Sequence, residues 1–138
     1  MLHSTNMRNK HLIGTGVAIV TPFDKKGHVD TKGLTSVVKH LHQGKVDYIV
    51  ILGTTGESVT LSKEEKKLVV ETVIQANANK LPLVLGIGGN NTSDVIETLK
   101  QTDLKPFEAI LSVAPYYNKP NQEGYYQHYK ALSKATKK

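Results

Sequence analysis

The chain contains no cysteine, so disulfides, thiolate metal sites and a cysteine nucleophile are all excluded, and a reducing cytoplasm is the compartment it fits. Long apolar runs are missing too. The longest, residues 81–87, contains Pro82 and falls far short of the roughly 20 residues a membrane span needs. The first eleven residues are polar and lack the apolar core of a secretory signal, so 1–11 is expected to be a tail, with Met7 as an alternative start. Arginine is nearly absent: Arg8 is the only one among 18 basic residues. The net charge of +6 is therefore carried by lysines spread over the chain, without the arginine and aromatic clusters that hold nucleic acid. A solvated lysine surface is expected, with neither a nucleic-acid nor a membrane partner.

What is present is a globular composition, 38% hydrophobic and 22% charged over 138 residues, enough for one domain with a real core. Short β-branched runs at 17–20, 48–52, 83–87 and 109–113 show little polar alternation, as expected of strands buried on both faces. Between them Leu34, Val37, Val38 and Leu41, then Leu68, Val69, Val73 and Ala76, then Val95, Ile96 and Leu99 recur at helical spacing. Ser62-Lys-Glu-Glu65 reads as a capping box, Thr92-Ser-Asp94 as a further helix start, and Asn121 as the cap of a helix running towards Ala135. The runs begin 31, 35 and 26 residues apart, the length of a βαβ unit, so the sheet should be parallel. Two architectures accept this pattern, half of a (β/α)8 barrel or a small flavodoxin-like doubly wound sheet that binds a small acid. Both put functional loops after the carboxyl ends of the strands.

Three loops there could carry chemistry. Gly53-Thr54-Thr55-Gly56-Glu57-Ser58 has two glycines that permit close backbone approach and two hydroxyls beside amides at a helix start, a setting for a small anion or simply a capped turn. Gly86-Ile-Gly88-Gly89-Asn90-Asn91 lacks the third small position of a dinucleotide motif and reads mainly as a flexible loop rich in backbone donors. In Pro115-Tyr116-Tyr117-Asn118-Lys119-Pro120 a phenol could relay a proton, or the tyrosine pair could fill a subunit interface. The six histidines have no metal-ligand spacing: His40 and His42, two apart on a helix, point to different sides.

Taken together, Gly14-Thr-Gly-Val-Ala-Ile-Val-Thr-Pro-Phe23, Gly53-Thr-Thr-Gly-Glu-Ser58, Pro82-Leu-Val-Leu-Gly-Ile-Gly-Gly-Asn90, Pro115-Tyr-Tyr-Asn-Lys-Pro120 and Gln122-Glu-Gly-Tyr-Tyr-Gln-His-Tyr129 resemble the dihydrodipicolinate synthase family. The Thr-Thr-Gly-Glu and Tyr-Tyr-Asn-Lys-Pro forms resemble the synthases more than the related sialic-acid lyases. The resemblance implies an α/β fold of the (β/α)8 TIM-barrel type, with residues 12–138 supplying about the first four βα units. It also implies a lyase of lysine biosynthesis that condenses pyruvate with aspartate semialdehyde through a lysine imine, without metal or cofactor, in a cytoplasmic homo-oligomer.

Carried over by motif, Thr54 corresponds to the relay hydroxyl, Thr55 (with Thr54) to the grip on the pyruvate carboxylate, and Tyr117 to the relay tyrosine that one subunit lends to its neighbour. Ser58, Val59, Asn90, Asp94 and Tyr116 correspond to the lining of a cleft where lysine inhibits family members. Lys63 and Lys66 stand where lysine-sensitive members often hold histidine, so their charge should repel a lysine ligand and weaken feedback. The family's fifth and sixth strands would bring a second relay tyrosine, an arginine and the imine lysine. None of these lies within the 138 residues, and Lys119, in an exposed proline-flanked loop, is a poor substitute. By itself the chain is therefore expected to be inactive, the alternative being a non-catalytic half-barrel that self-associates through open sheet edges.

Overall fold

The computed structural model describes residues 10–138. Most of the expected tail, including Met7 and Arg8, lies outside the described residues, which open with a short 3-10 turn, Lys10–Leu12. From there strand and helix alternate: β1 (Gly16–Ala18), α1 (Thr31–Gln43), β2 (Tyr48–Ile51), α2 (Lys63–Asn77), β3 (Leu83–Gly86), α3 (Thr92–Gln101), β4 (Ala109–Leu111) and α4 (Gln122–Ala135). All strand pairs are parallel, in the order β1-β2-β3-β4. A flavodoxin-like sheet would seat β1 between β2 and β3; here each strand neighbours its successor, the winding of a barrel.

Local chemistry sets the helix starts. Ser62 and Glu65 form the expected capping box, Ser62 Oγ accepting from Glu65 N at 3.1 Å and Glu65 Oε2 accepting from Ser62 N at 2.8 Å. Asn121 caps α4 by accepting from Gly124 N at 2.9 Å. At α3 the cap is Asn91, one residue ahead of the expected start, and Asp94 falls in the first turn.

Side-chain alternation sorts the strands into two faces. Ile19, Ile49, Ile51, Leu83, Leu85 and Ile87 meet Leu34 and Val38 of α1, Val69 and Val73 of α2, Val95 and Leu99 of α3, and Leu132 of α4 in one core. Each such side chain contributes about 1.5–3 kcal/mol when fully buried. The register places Ala18, Val50, Val84 and Ala109 in a row on the opposite face, the one a closed barrel would turn inwards. Burial there is uneven. Val50 and Val84, on the two central strands, are buried, whereas Val20, Leu111 and Val113 are exposed. The expectation of strands buried on both faces thus holds for β2 and β3 and fails for β1 and β4, each of which has one neighbour.

Among the described residues three polar ones are buried, Thr21, Asn77 and His128, and the most enclosed of them ties two helices together. Asn77, 1% exposed, accepts from Leu81 N and donates to Leu81 O, closing the turn after α2, and it also meets His42 Nε2 of α1 at 3.0 Å. His42 is thus a helix-packing residue. Among the described residues no helix is long and apolar enough to cross a membrane.

Candidate active site

The site is built from the carboxyl ends of the strands. At the end of β2 the chain turns sharply: Leu52 takes a positive φ of 56°, and Thr54–Gly56 form a single 3-10 turn closed by Gly56 N donating to Gly53 O at 3.0 Å. Glu57, also left-handed, donates its N–H to Thr54 O at 3.0 Å. Six residues then separate this turn from α2, so Thr54 and Thr55 do not stand at that helix's free amides as the sequence led one to expect.

The turn is fastened from the neighbouring strand. Thr21, 4% exposed and three residues past β1, donates its hydroxyl to Gly56 O at 2.8 Å. A side chain at position 56 would crowd Ile19 O at 3.2 Å and Thr21 Oγ1 at 3.4 Å, so this glycine serves packing against β1. Gly53 is buried but has room for a Cβ, whose nearest neighbour, Val50 Cγ1 at 3.8 Å, would be an ordinary contact. In sequence Thr21 is one more β-branched residue at a strand end, with no local sign that its hydroxyl reaches a turn 35 residues away.

Held this way, Thr54 and Thr55 are exposed at the sheet rim, and among the described residues neither hydroxyl has a hydrogen-bond partner. Contrast Thr35, Thr60, Thr72, Thr98 and Thr102, whose hydroxyls all bond backbone carbonyls of their own helix or turn. The two rim hydroxyls are available to a ligand.

The segment after β3 is more ordered than a flexible loop. Ile87 is buried and donates to Leu111 O at 3.0 Å, extending the ladder with β4, and a side chain on Gly88 would collide with Val113 N at 2.7 Å. Asn90 then bridges to the next loop, its Oδ1 accepting from Tyr116 N at 2.9 Å and its carbonyl accepting from Asn118 Nδ2 at 3.3 Å. Of the five residues matched to the lysine cleft, the structure joins Asn90 and Tyr116 directly. Ser58 and Val59 lie on the β2–α2 loop and Asp94 on α3, without a hydrogen bond to that pair.

After β4, Tyr117 projects into solvent with 87% of its surface exposed, and among the described residues no hydrogen bond links it to Thr54 or Thr55. Lys119, at a strained φ of 36°, is exposed. No lysine of residues 11–138 is buried and none lies on a strand.

Comparison with known proteins bears on these loops. A model of the dihydrodipicolinate synthetase family matches residues 11–138. The 4-hydroxy-tetrahydrodipicolinate synthase of Flavobacterium psychrophilum is 58% identical over 124 residues, which is 90% of this chain and 42% of that protein. A crystal structure of the chloride-inhibited dihydrodipicolinate synthase of Acinetobacter baumannii with pyruvate aligns at a TM-score of 0.84 and 46% identity, covering 90% of this chain and 43% of that one. N-acetylneuraminate lyase of Mycoplasma synoviae aligns at a TM-score of 0.81 and 36% identity, covering 93% and 45%. The chain spans less than half the length of these relatives, and the backbone is shared by synthases and lyases alike. It belongs to the dihydrodipicolinate synthetase family, its four βα units matching the N-terminal half of that family's TIM barrel.

Proposed function

We propose that residues 12–138 form the first half of the barrel of a 4-hydroxy-tetrahydrodipicolinate synthase, a cytoplasmic homo-oligomer that condenses pyruvate with aspartate semialdehyde. The observation that carries this reading is the pair of unpartnered hydroxyls, Thr54 and Thr55, on a turn pinned by Thr21 at the carboxyl end of a barrel strand. In the proposed mechanism Thr55 binds the pyruvate carboxylate, and Thr54 passes a proton between substrate and the phenol of Tyr117. That phenol, extended away from its own sheet, would be the one reaching a neighbouring subunit's site.

Imine formation needs a lysine amine in a desolvated pocket beside the keto carbon. The described lysines are exposed or half-exposed and off the strands, so the amine must come from the part of the barrel that these residues do not form. The 138-residue chain mixed with pyruvate and borohydride is accordingly expected to show no mass adduct.

The positive test uses a completed barrel, residues 12–138 joined to the second half of the Flavobacterium relative. Pyruvate and borohydride should give one adduct. Thr54→Val and Tyr117→Phe should each lower kcat by about 10²-fold or more, the usual scale of a lost proton-transfer group, and Thr55→Val should raise KM for pyruvate. Unchanged kcat in Thr54→Val would remove the relay from the mechanism.

A second reading draws on the unpaired outer edges of β1 and β4 and the exposed Val20, Leu111 and Val113 beside them. By itself the chain would then pair with a second copy to cover both edges. Light scattering decides: a stable monomer at high concentration rules this out.

A further inference from the structure

The helix after the tyrosine loop carries a polar face that the proposed chemistry leaves unused. Tyr125, His128 and Tyr129 lie at i, i+3 and i+4 on α4 and therefore share one side of it. Tyr129 OH donates to Ser112 O at 3.1 Å, and Tyr125 OH donates to Pro115 O at 3.4 Å. His128, 3% exposed, bonds Thr92 Oγ1 through Nδ1 at 2.8 Å, while its Nε2 is buried without a partner among the described residues. A leucine would suit that buried position better if packing were the whole need, since an imidazole brings a desolvated nitrogen with it.

Thr92 begins α3 two residues after Asn90, and Asn90 holds Tyr116 N and Asn118 Nδ2. The loop is therefore fastened at residues 112, 115, 116 and 118, on both sides of Tyr117, which among the described residues has no hydrogen-bonded anchor of its own. We propose that Tyr125, His128 and Tyr129 are positioning residues that, acting with Thr92 and Asn90, hold the loop after β4 so that Tyr117 projects in one fixed orientation. The functional consequence rests on the reading of Tyr117 as a relay. Among the described residues of its own subunit the ring has no hydrogen bond that could aim it, so the backbone on either side has to set the direction in which the phenol leaves its sheet towards the neighbour.

The test compares His128→Leu, which keeps volume and loses the bond to Thr92, with His128→Asn, whose amide can take the place of Nδ1. Amide hydrogen exchange at Tyr116 is followed in the 138-residue chain and in the completed barrel, and kcat, KM and the rate of imine formation in the latter. His128→Leu should speed Tyr116 exchange by about tenfold or more through local opening. It should lower kcat by about 10- to 100-fold through misplacement, with imine formation and pyruvate KM unchanged. His128→Asn should retain most of both. Tyr129→Phe, at a half-exposed ring that poses little risk to folding, should shift exchange and kcat in the same direction by a smaller factor.

Leucine matching asparagine in both measurements would show that position 128 only packs, and overturns the proposal. So does faster exchange without a fall in kcat, provided Tyr117→Phe does lower kcat. If Tyr117→Phe leaves kcat untouched, the relay reading fails instead, and the exchange data alone decide whether the clamp holds the loop.

Discussion

Replacing Gly86 with alanine tests whether the β2 and β3 ends are packed as tightly as the geometry requires. A Cβ there would overlap the Leu52 carbonyl oxygen and stand 2.6 Å from Leu52 C and 2.9 Å from Gly53 N, all inside the 3.0 Å limit that real Cβ contacts respect. The obstructing atoms are backbone, and Leu52 is already held at a φ of 56°, so no side chain can swing aside. Relief must come from moving the Leu52–Gly53 junction, the base of the Thr54–Thr55 turn. Overpacking costs about 1–3 kcal/mol, and a backbone clash belongs at about 3. With an m-value of about 2 kcal/mol/M, the urea midpoint followed by circular dichroism should fall by about 1.5 M. In the completed barrel kcat/KM should drop by about 10²-fold as the two hydroxyls move. Gly53→Ala is the control: its φ of −70° suits alanine and a Cβ there meets only an ordinary contact with Val50, so about 0.4–1 kcal/mol of stabilisation is expected. A Gly86→Ala midpoint within about 0.3 M of the parent, or an equal loss in Gly53→Ala, would refute this reasoning.

Four further outcomes are expected. Ser62→Ala removes one half of the capping box and should cost about 1 kcal/mol by urea unfolding, and Glu65→Ala should add a further loss in the double variant because its carboxylate accepts from the residue-62 backbone N–H, which alanine retains. Asn77→Ala removes the partner of both backbone groups of half-buried Leu81 and empties a buried side-chain position, and should cost more, about 2 kcal/mol. The carboxyl of Asp24 is held below its ordinary pKa, chiefly by the His28 backbone N–H and also by that of Lys26. Its contribution is therefore complete above the ordinary carboxylate range and disappears as pH falls through the lowered value, and Asp24→Asn should flatten the stability profile in that acid window. If the cleft that the family resemblance implies is present in the completed barrel, Lys63 and Lys66 would add positive charge to it, and lysine at submillimolar concentration should leave initial rates unchanged; saturable inhibition there would contradict the charge argument.

Legibility in the sequence followed the range of the interactions. The capping box at Ser62, the cap at Asn121 and the helical stripes are set by residues within four positions of one another, and they were readable as such. The rim hydroxyls and the tyrosine loop were located because strand ends are visible in the pattern. Their partners were not. Thr21 reaches Gly56 across 35 residues, Asn90 reaches Tyr116 across 26, and Thr92 reaches His128 across 36. Composition and periodicity contain no trace of such pairs, and the stretch from Gly86 to Asn91 consequently reads as a flexible loop, whereas Ile87 continues the ladder with β4, Asn90 is tied to the tyrosine loop and Asn91 caps α3.

The amino-acid order alone determined four βα units, a parallel sheet and the membership of the dihydrodipicolinate synthetase family, since these follow from hydrophobic period, local caps and motif spacing. Periodicity left two windings open and the motif resemblance implied the barrel, which the strand order bears out; tertiary structure alone decided that the main core lies on one face of the sheet and that the loop bearing Tyr117 is anchored by α3 and α4. The physical reason is that a strand's neighbour, and a buried hydroxyl's partner, are chosen by the packing of the whole chain, which no short window of residues encodes.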